Sequence, residues 1–294
     1  MAQVRTTLGQ ALAAAGDYRD ALVLLDDAAA AIKRVQRPGA RPGPGLAYSL
    51  ACKASILGDL GRFAEAHACF DEALGSLPGR DHEVEASVLC LRSEVKLWQG
   101  GWEAAREDAL TARQIAERVR SLYLFAMSRG LGAYAEWKLE PGPRPLRDMA
   151  DSVSWLESRD KNLFISLQYG WLAEAMAASG KTAEARSFAA RALRRVRKRD
   201  LIGAAMASRA MARLAADHGD WKGANRYLAL AAKVAGTRGS AHETACNDLC
   251  TAQIALAQGA RQDAATCLDR ATQAFGRMQM SWHLAHASRL HRSL

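Results

Sequence analysis

Apolar and small side chains recur along this chain at helical spacing, and short polar turns separate the segments that carry them. In the segment 180–193, for example, Ala185, Ala189 and Ala192 lie four and three residues apart. This spacing places all three on one face of a helix. Related turn-and-helix segments begin at or near glycines 16, 61, 101, 219 and 259. The alternation typical of strands is absent, so the pattern predicts an all-α protein.

The same pattern repeats along the chain with a nearly constant period. The alanines that open the second helix of each unit are 45, 39, 80, 39 and 40 residues apart, and they are Ala21, Ala66, Ala105, Ala185, Ala224 and Ala264. A period of this length with a turn in the middle indicates stacked helical hairpins. We predict one solenoid over residues 1–294, with hairpins at 2–36, 46–77, 82–119, 121–158, 161–198, 201–236 and 240–276, and a capping helix at 281–292.

Two proline-rich segments interrupt the repeat. Residues 37–45 form a predicted linker after the first hairpin, because their prolines lack backbone donors and their glycines favour irregular backbone. In the fourth hairpin, residues 140–145 replace the usual tight turn. We therefore expect a degenerate hairpin there, with helices at 121–139 and 146–158.

The repeated residues resemble tetratricopeptide repeats. The first helix carries a Leu-Gly pair at 8–9 and at 131–132, and glycine precedes an aromatic residue in the turns at 61–63 and 219–221. The long units and the ending 275–282 resemble the repeat regions of bacterial multidomain signalling proteins, among them cyclase- or ATPase-linked regulators and MalT-like activators. The resemblance implies a right-handed superhelix in which the repeats bind ligands or partners and perform no chemistry.

In that architecture the first helix of each hairpin lines a concave groove, where we expect a peptide or protein segment to bind. Tryptophans in the groove are candidate anchors for the partner, and arginines are candidates for holding a carboxylate or phosphate. The alternative for the tryptophans is packing between neighbouring repeats. The groove residues implied by the resemblance are Tyr48, Glu94, Trp98, Arg129, Glu136, Trp137, Glu174, Arg209, Arg213, Asp217 and Gln253.

The formal net charge of +9 lies entirely in the second half of the chain, because residues 1–150 hold 19 basic and 19 acidic side chains. One helix face there carries a basic stripe, predicted to be exposed and formed by Arg191, Arg194, Arg195 and Lys198. A solvated convex face is the simpler reading. The alternative functions are docking of an acidic partner or nucleic acid at this basic half, and sensing of a small effector.

Candidate chemistry is sparse. Residues 179–182 resemble the end of a phosphate-binding loop, but Ala175 stands where that loop needs glycine and no strand precedes it. The pairs Cys246 with Cys250 and His283 with His286 share helix faces, yet they lack the context of a zinc site. We therefore expect no catalytic residue, no cofactor and no metal. The composition also predicts no membrane span, and six cysteines without a signal peptide favour reduced thiols in the cytoplasm.

Overall fold

The computed structural model describes residues 2–35, 43–77, 79, 82–161, 163–292 and 294. All regular structure within these ranges is helical. The helices are α1 (Ala2–Ala14), α2 (Tyr18–Val35), α3 (Pro44–Asp59), α4 (Phe63–Gly75), α5 (Glu83–Gln99), α6 (Trp102–Arg118), α7 (Leu122–Leu139), α8 (Pro143–Ser158), α9 (Ile165–Ala178), α10 (Thr182–Arg195), α11 (Ala204–Asp217), α12 (Trp221–Arg238), α13 (Ala241–Ala257), α14 (Arg261–Arg277) and α15 (Ser281–His291), with a short 3-10 turn at Val196–Lys198 after α10.

The helices pair into hairpins in two compact units, one from 1 to 162 and the other from 163 to 294. The first unit holds the four hairpins from α1 to α8. The second holds three hairpins, α9 to α14, followed by α15 packed against α14. The predicted all-α, TPR-like helical-repeat fold is confirmed. A single continuous right-handed superhelix over both units stays a prediction.

Glycine in the left-handed region closes the turn of most hairpins. Gly180, between α9 and α10, has φ +72°, and Gly219, between α11 and α12, has φ +73°. The next residue then donates its backbone N–H across the turn, as from Lys181 to the Met176 carbonyl at 2.9 Å. Side chains other than glycine are strained at such φ values. This requirement explains why glycine marks the repeat so clearly in the sequence.

Small residues set the helix spacing inside each unit. Ala185, Ala224 and Ala264 are fully buried in the second helices of the last three hairpins. At Gly58 on α3, a Cβ atom would come within 2.6 Å of the Val95 side chain on α5. The first helices α3 and α5 therefore approach closely at Gly58 only because this position carries no side chain.

The proline-rich segments differ from expectation where the structure describes them. Residues 37–42 of the predicted linker, position 36 and Pro78 lie outside the described residues. α3 begins at Pro44, inside the linker's predicted range. α8 begins at Pro143 and not at residue 146, because the fixed φ of proline suits the first helical turn, where its missing N–H costs nothing. None of the described helices is long and apolar enough to cross a bilayer.

Candidate functional site

A chain of polar side chains joins the first helices of the three hairpins in the second unit to α15. We call it the polar ladder, and its members are Glu174 on α9, Arg213 on α11, Gln253 on α13 and His286 on α15. Arg213 Nη1 lies 3.9 Å from Glu174 Oε1, and its Nη2 donates to Gln253 Oε1 at 3.4 Å. Gln253 Nε2 lies 3.2 Å from His286 Nε2. Three of these four residues were predicted to line the groove, and the ladder links them across successive helices.

Arg213 is the ladder residue best placed to receive a ligand. Its side chain is 35% exposed, and its separations from Glu174 and Gln253 are at the long end of hydrogen-bonding and ion-pairing distances. A guanidinium has five donors. Asp217, one helical turn further along α11, is exposed. The ladder therefore presents hydrogen-bonding groups that are only partly used within the chain.

An aromatic side chain marks the α15 end of the ladder. The Trp282 ring stacks on the ring of His286, with centroids 5.6 Å apart and planes 8° from parallel. Trp282 is 39% exposed. Sequence reasoning missed both residues as groove candidates because it treated α15 only as a cap. The available signal was their spacing of four residues, which puts them on one face of an amphipathic helix.

Arg209 lies beneath the ladder and does not belong to its surface. It is 5% exposed and donates to the Glu243 carboxylate and to Asn247 Oδ1, the latter at 2.7 Å. Burial alone would lower the pKa of Arg209, but the charge and hydrogen bond of Glu243 more than offset it and raise that pKa. The prediction that Arg209 faces a ligand is corrected here, because its side chain points between α11 and α13.

Several groove residues predicted in the first unit are also interior. Glu94, Trp98 and Trp137 are all buried. The tryptophans fill space between hairpins, which is the alternative that their amphipathic side chains left open. Tyr48 is half-buried and accepts a hydrogen bond from Gln10 Nε2 at 2.7 Å, and burial raises the pKa of its hydroxyl. These side chains stabilise the first unit and do not form an open aromatic site.

The remaining two predicted residues of the first unit, Arg129 and Glu136, line a cleft of about 530 Å³ between α6 and α8. Arg129 Nη2 lies 2.7 Å from both Asp148 Oδ1 and Asp151 Oδ2 on α8. Glu136 pairs with Arg144, at the start of α8. These contacts place Arg129 and Glu136 on the side of α7 that faces the second helices α6 and α8. We call this feature the α6–α8 cleft.

The four residues of the basic stripe differ in exposure because two of them make contacts within the second unit. The Arg191 guanidinium lies over the rings of Tyr169 and Phe188, 4.8 and 5.1 Å from their centroids. Burial, and then the charge of a neighbouring arginine, lower the pKa of Arg191. Arg195 Nε donates to Asp200 Oδ2 at 3.4 Å. The expectation of four exposed charges is thus corrected: Arg194 and Lys198 are exposed, whereas the other two are engaged within the unit.

The other candidate motifs have structural positions. Residues 179–182 form the turn between α9 and α10 and the start of α10. His283 packs against Phe275, with ring centroids 5.2 Å apart. In the described part of the chain, no three or more His, Cys, Asp or Glu side chains are grouped to hold a metal ion. The six cysteines are free thiols.

Comparison with known proteins gives similarity of fold. No protein-family model and no curated protein sequence matches this chain. Among solved structures, it is similar to a Rap protein complexed with Competence and Sporulation Factor, with a TM-score of 0.59 and 12% identity over 99% of this chain and 97% of that one. It is also similar to the apo form of the quorum sensor NprR from B. thuringiensis, with a TM-score of 0.54 and 12% identity over 98% and 80% of the two chains. The architecture shared with these proteins is the all-α, TPR-like helical repeat.

Proposed function

We propose that this protein is a non-enzymatic regulatory scaffold of the cytoplasm that binds an extended peptide segment on the polar ladder. The observation that carries the proposal is the run of partly exposed polar side chains across the three first helices of the second unit and α15. The two similar structures add support by analogy, since the Rap protein is in complex with Competence and Sporulation Factor and NprR is a quorum sensor. We place the scaffold in a bacterial signalling assembly, as its resemblance to repeat regions of such proteins implies.

The chemistry of the ladder suits a peptide backbone. An extended peptide exposes N–H and C=O groups that need partners when they leave water. Gln253 offers both a donor and an acceptor, and Arg213 offers donors. Packed helices lie about 8–10 Å apart, which matches about three residues of extended chain at roughly 3.3 Å each. Successive ladder residues therefore meet successive short stretches of one peptide, and Trp282 contacts an apolar side chain at one end.

The test is peptide binding by ladder variants. We would screen fluorescein-labelled synthetic peptides of about seven residues by fluorescence anisotropy, and then measure the best binder with Arg213→Ala and Gln253→Ala. We expect each change to weaken binding about tenfold, since each removes a hydrogen-bonding group from the interface. Arg261→Ala, an exposed position on α14, is the matched control. The proposal fails if no peptide binds the parent protein, or if both ladder variants bind as the control does.

A further inference from the structure

The α6–α8 cleft is an open depression lined by three helices of the first unit. α6 and α8 are its walls, and α7 is its floor, where Gly132 and Ala133 leave room above the backbone. A Cβ atom at Gly132 would come within 3.4 Å of the Ala109 Cβ on α6. Ligand sites commonly enclose about 300–1,000 Å³, and the 530 Å³ of this cleft falls inside that range.

The α6 wall presents one stripe of three unengaged side chains. Arg106, Leu110 and Arg113 are spaced four and three residues apart, so they lie on the same face of the helix. Leu110 is 45% exposed although it is a large apolar residue. Neither arginine makes a hydrogen bond or an ion pair with any described residue. Their Cα atoms are separated by about 10 Å along the helix axis, from seven residues at roughly 1.5 Å each.

The other walls carry no surplus of positive charge. Arg129 is held by Asp148 and Asp151, and Arg144 pairs with Glu136. Glu107 lies at the exposed rim beside Arg106 and offsets part of its charge. The arginines of the cleft that have no carboxylate partner among the described residues therefore both lie on α6, at the two ends of the apolar contact that Leu110 offers.

We propose that the α6–α8 cleft docks an acidic segment of a partner protein, distinct from the peptide of the polar ladder. Two carboxylates of the segment pair with Arg106 and Arg113, and an apolar side chain between them covers Leu110. In an extended segment alternate side chains share a face, so acidic residues four positions apart lie on one side of it, about 13 Å from each other, and the residue midway between them lies on the same side. Two long arginine side chains whose Cα atoms are about 10 Å apart can reach both carboxylates. Guanidinium groups hold carboxylates in two-pronged, charge-assisted hydrogen bonds, which favours arginine at such positions.

The experiment uses a defined probe on the full chain. The probe is a fluorescein-labelled, terminally blocked peptide with the core Glu-Ser-Leu-Ser-Glu between glycines, which puts both glutamates and the leucine on one face of an extended chain. Its control carries glutamine in place of both glutamates. We expect the acidic peptide to bind at least about tenfold more tightly than the glutamine peptide. Raising the ionic strength from about 0.05 M to 0.5 M should weaken that binding, because these charges face solvent.

Substitutions then locate the binding. The double variant Arg106→Gln with Arg113→Gln should lose about tenfold in affinity. Arg147→Gln, an exposed position on α8 outside the cleft, should match the parent, as should the ladder variant Arg213→Ala. In the variant Arg106→Glu with Arg113→Glu, a peptide with a Lys-Ser-Leu-Ser-Lys core should bind in place of the acidic one. All of these changes are at the surface, so the melting temperature should stay close to that of the parent.

Three results would overturn the proposal. One is equal binding of the acidic and glutamine peptides. The second is acidic-peptide affinity that survives the double glutamine substitution, or that falls equally with Arg147→Gln. The third combines two findings: millimolar inorganic phosphate displaces the peptide completely, and Leu110→Ala leaves peptide affinity unchanged. The cleft would then be a site for small anions.

Discussion

Arg209 and Arg213 lie one helical turn apart on α11, and their surroundings give them different roles. Arg209 is enclosed between α11 and α13 with Glu243 and Asn247, whereas Arg213 lies at the surface between Glu174 and Gln253. The sequence places both on the groove side of the helix, since a spacing of four residues preserves the face. It does not reveal how deep each side chain lies, because depth depends on the neighbouring helix.

This difference predicts opposite effects on stability. Arg209→Ala leaves the Glu243 carboxylate buried without its partner, so we expect the free energy of unfolding to fall by about 3–5 kcal/mol. Arg213→Ala removes a partly exposed side chain with long contacts and should change it by less than about 1 kcal/mol. Urea unfolding monitored by circular dichroism measures both values. A variant with Arg209→Met and Glu243→Leu, which removes both charges, should recover much of the loss.

If Arg209→Ala unfolds at the same urea concentration as the parent, the buried ion pair does not contribute as argued. The ladder proposal would survive that result, since Arg209 is not a ladder residue and the binding test uses Arg213 and Gln253.

At the scale of the helices, the buried alanines offer a direct test of the repeat. Ala224 on α12 is fully buried, and so are its counterparts Ala185 and Ala264. Leucine at any of the three must displace a neighbouring helix, so we expect a loss of about 1–3 kcal/mol in unfolding free energy from overpacking. Ala232→Leu, at an exposed position on α12, is the matched control and should change stability little. Buried-site variants that melt with the control would contradict the packing described here.

The sequence predicted the helices well because their signals are local. Glycine in the turns and alanine at helical spacing are both dictated by backbone and packing constraints within one hairpin. The exception at α8 has a local cause too, since Pro143 starts the helix earlier than the proline-rich pattern indicated. Local signals of this kind repeat about every forty residues, and this repetition makes the hairpins easy to recognise from the sequence.

The candidate site was predicted less completely because it depends on contacts between hairpins. Glu174, Arg213 and Gln253 contact one another on one ladder, and their role in lining a groove stays a prediction. Arg129, in contrast, faces α8 because two aspartates there attract it. Trp98 is buried because an aromatic ring on a first helix fills the space next to another hairpin just as readily as it lines a groove.

At the scale of the whole molecule, titration behaviour differs between the two units. In the first unit, burial raises the pKa of Cys52 and of Cys90 from 9.0 to about 12, nearby carboxylates adding to the effect at Cys90. In the second unit, Cys267 has a raised pKa with burial as its largest cause, partly offset by Arg270. The first unit therefore carries two deeply buried thiols that stay protonated well above the pH at which an unfolded chain would ionise them.

These thiols predict a loss of stability in mild alkali. Below about pH 9 both the folded and the unfolded chains keep the two protons, so the thiols add no pH dependence. Between pH 9 and 12 the unfolded chain releases them and the folded chain does not, so the unfolded state binds fewer protons and stability falls as the pH rises. The slope approaches about 1.4 kcal/mol per pH unit for each thiol.

Hydrogen exchange can measure the unfolding free energy of the first unit from pH 8 to 10, and these values should show the decline. Cys52→Ala with Cys90→Ala should make it clearly less steep and leave the part due to Cys69, whose pKa burial raises to about 11. Cys267→Ala should leave the first unit's slope unchanged. An equally steep decline in the double variant would mean that other groups, and not these thiols, govern the alkaline limit of the fold.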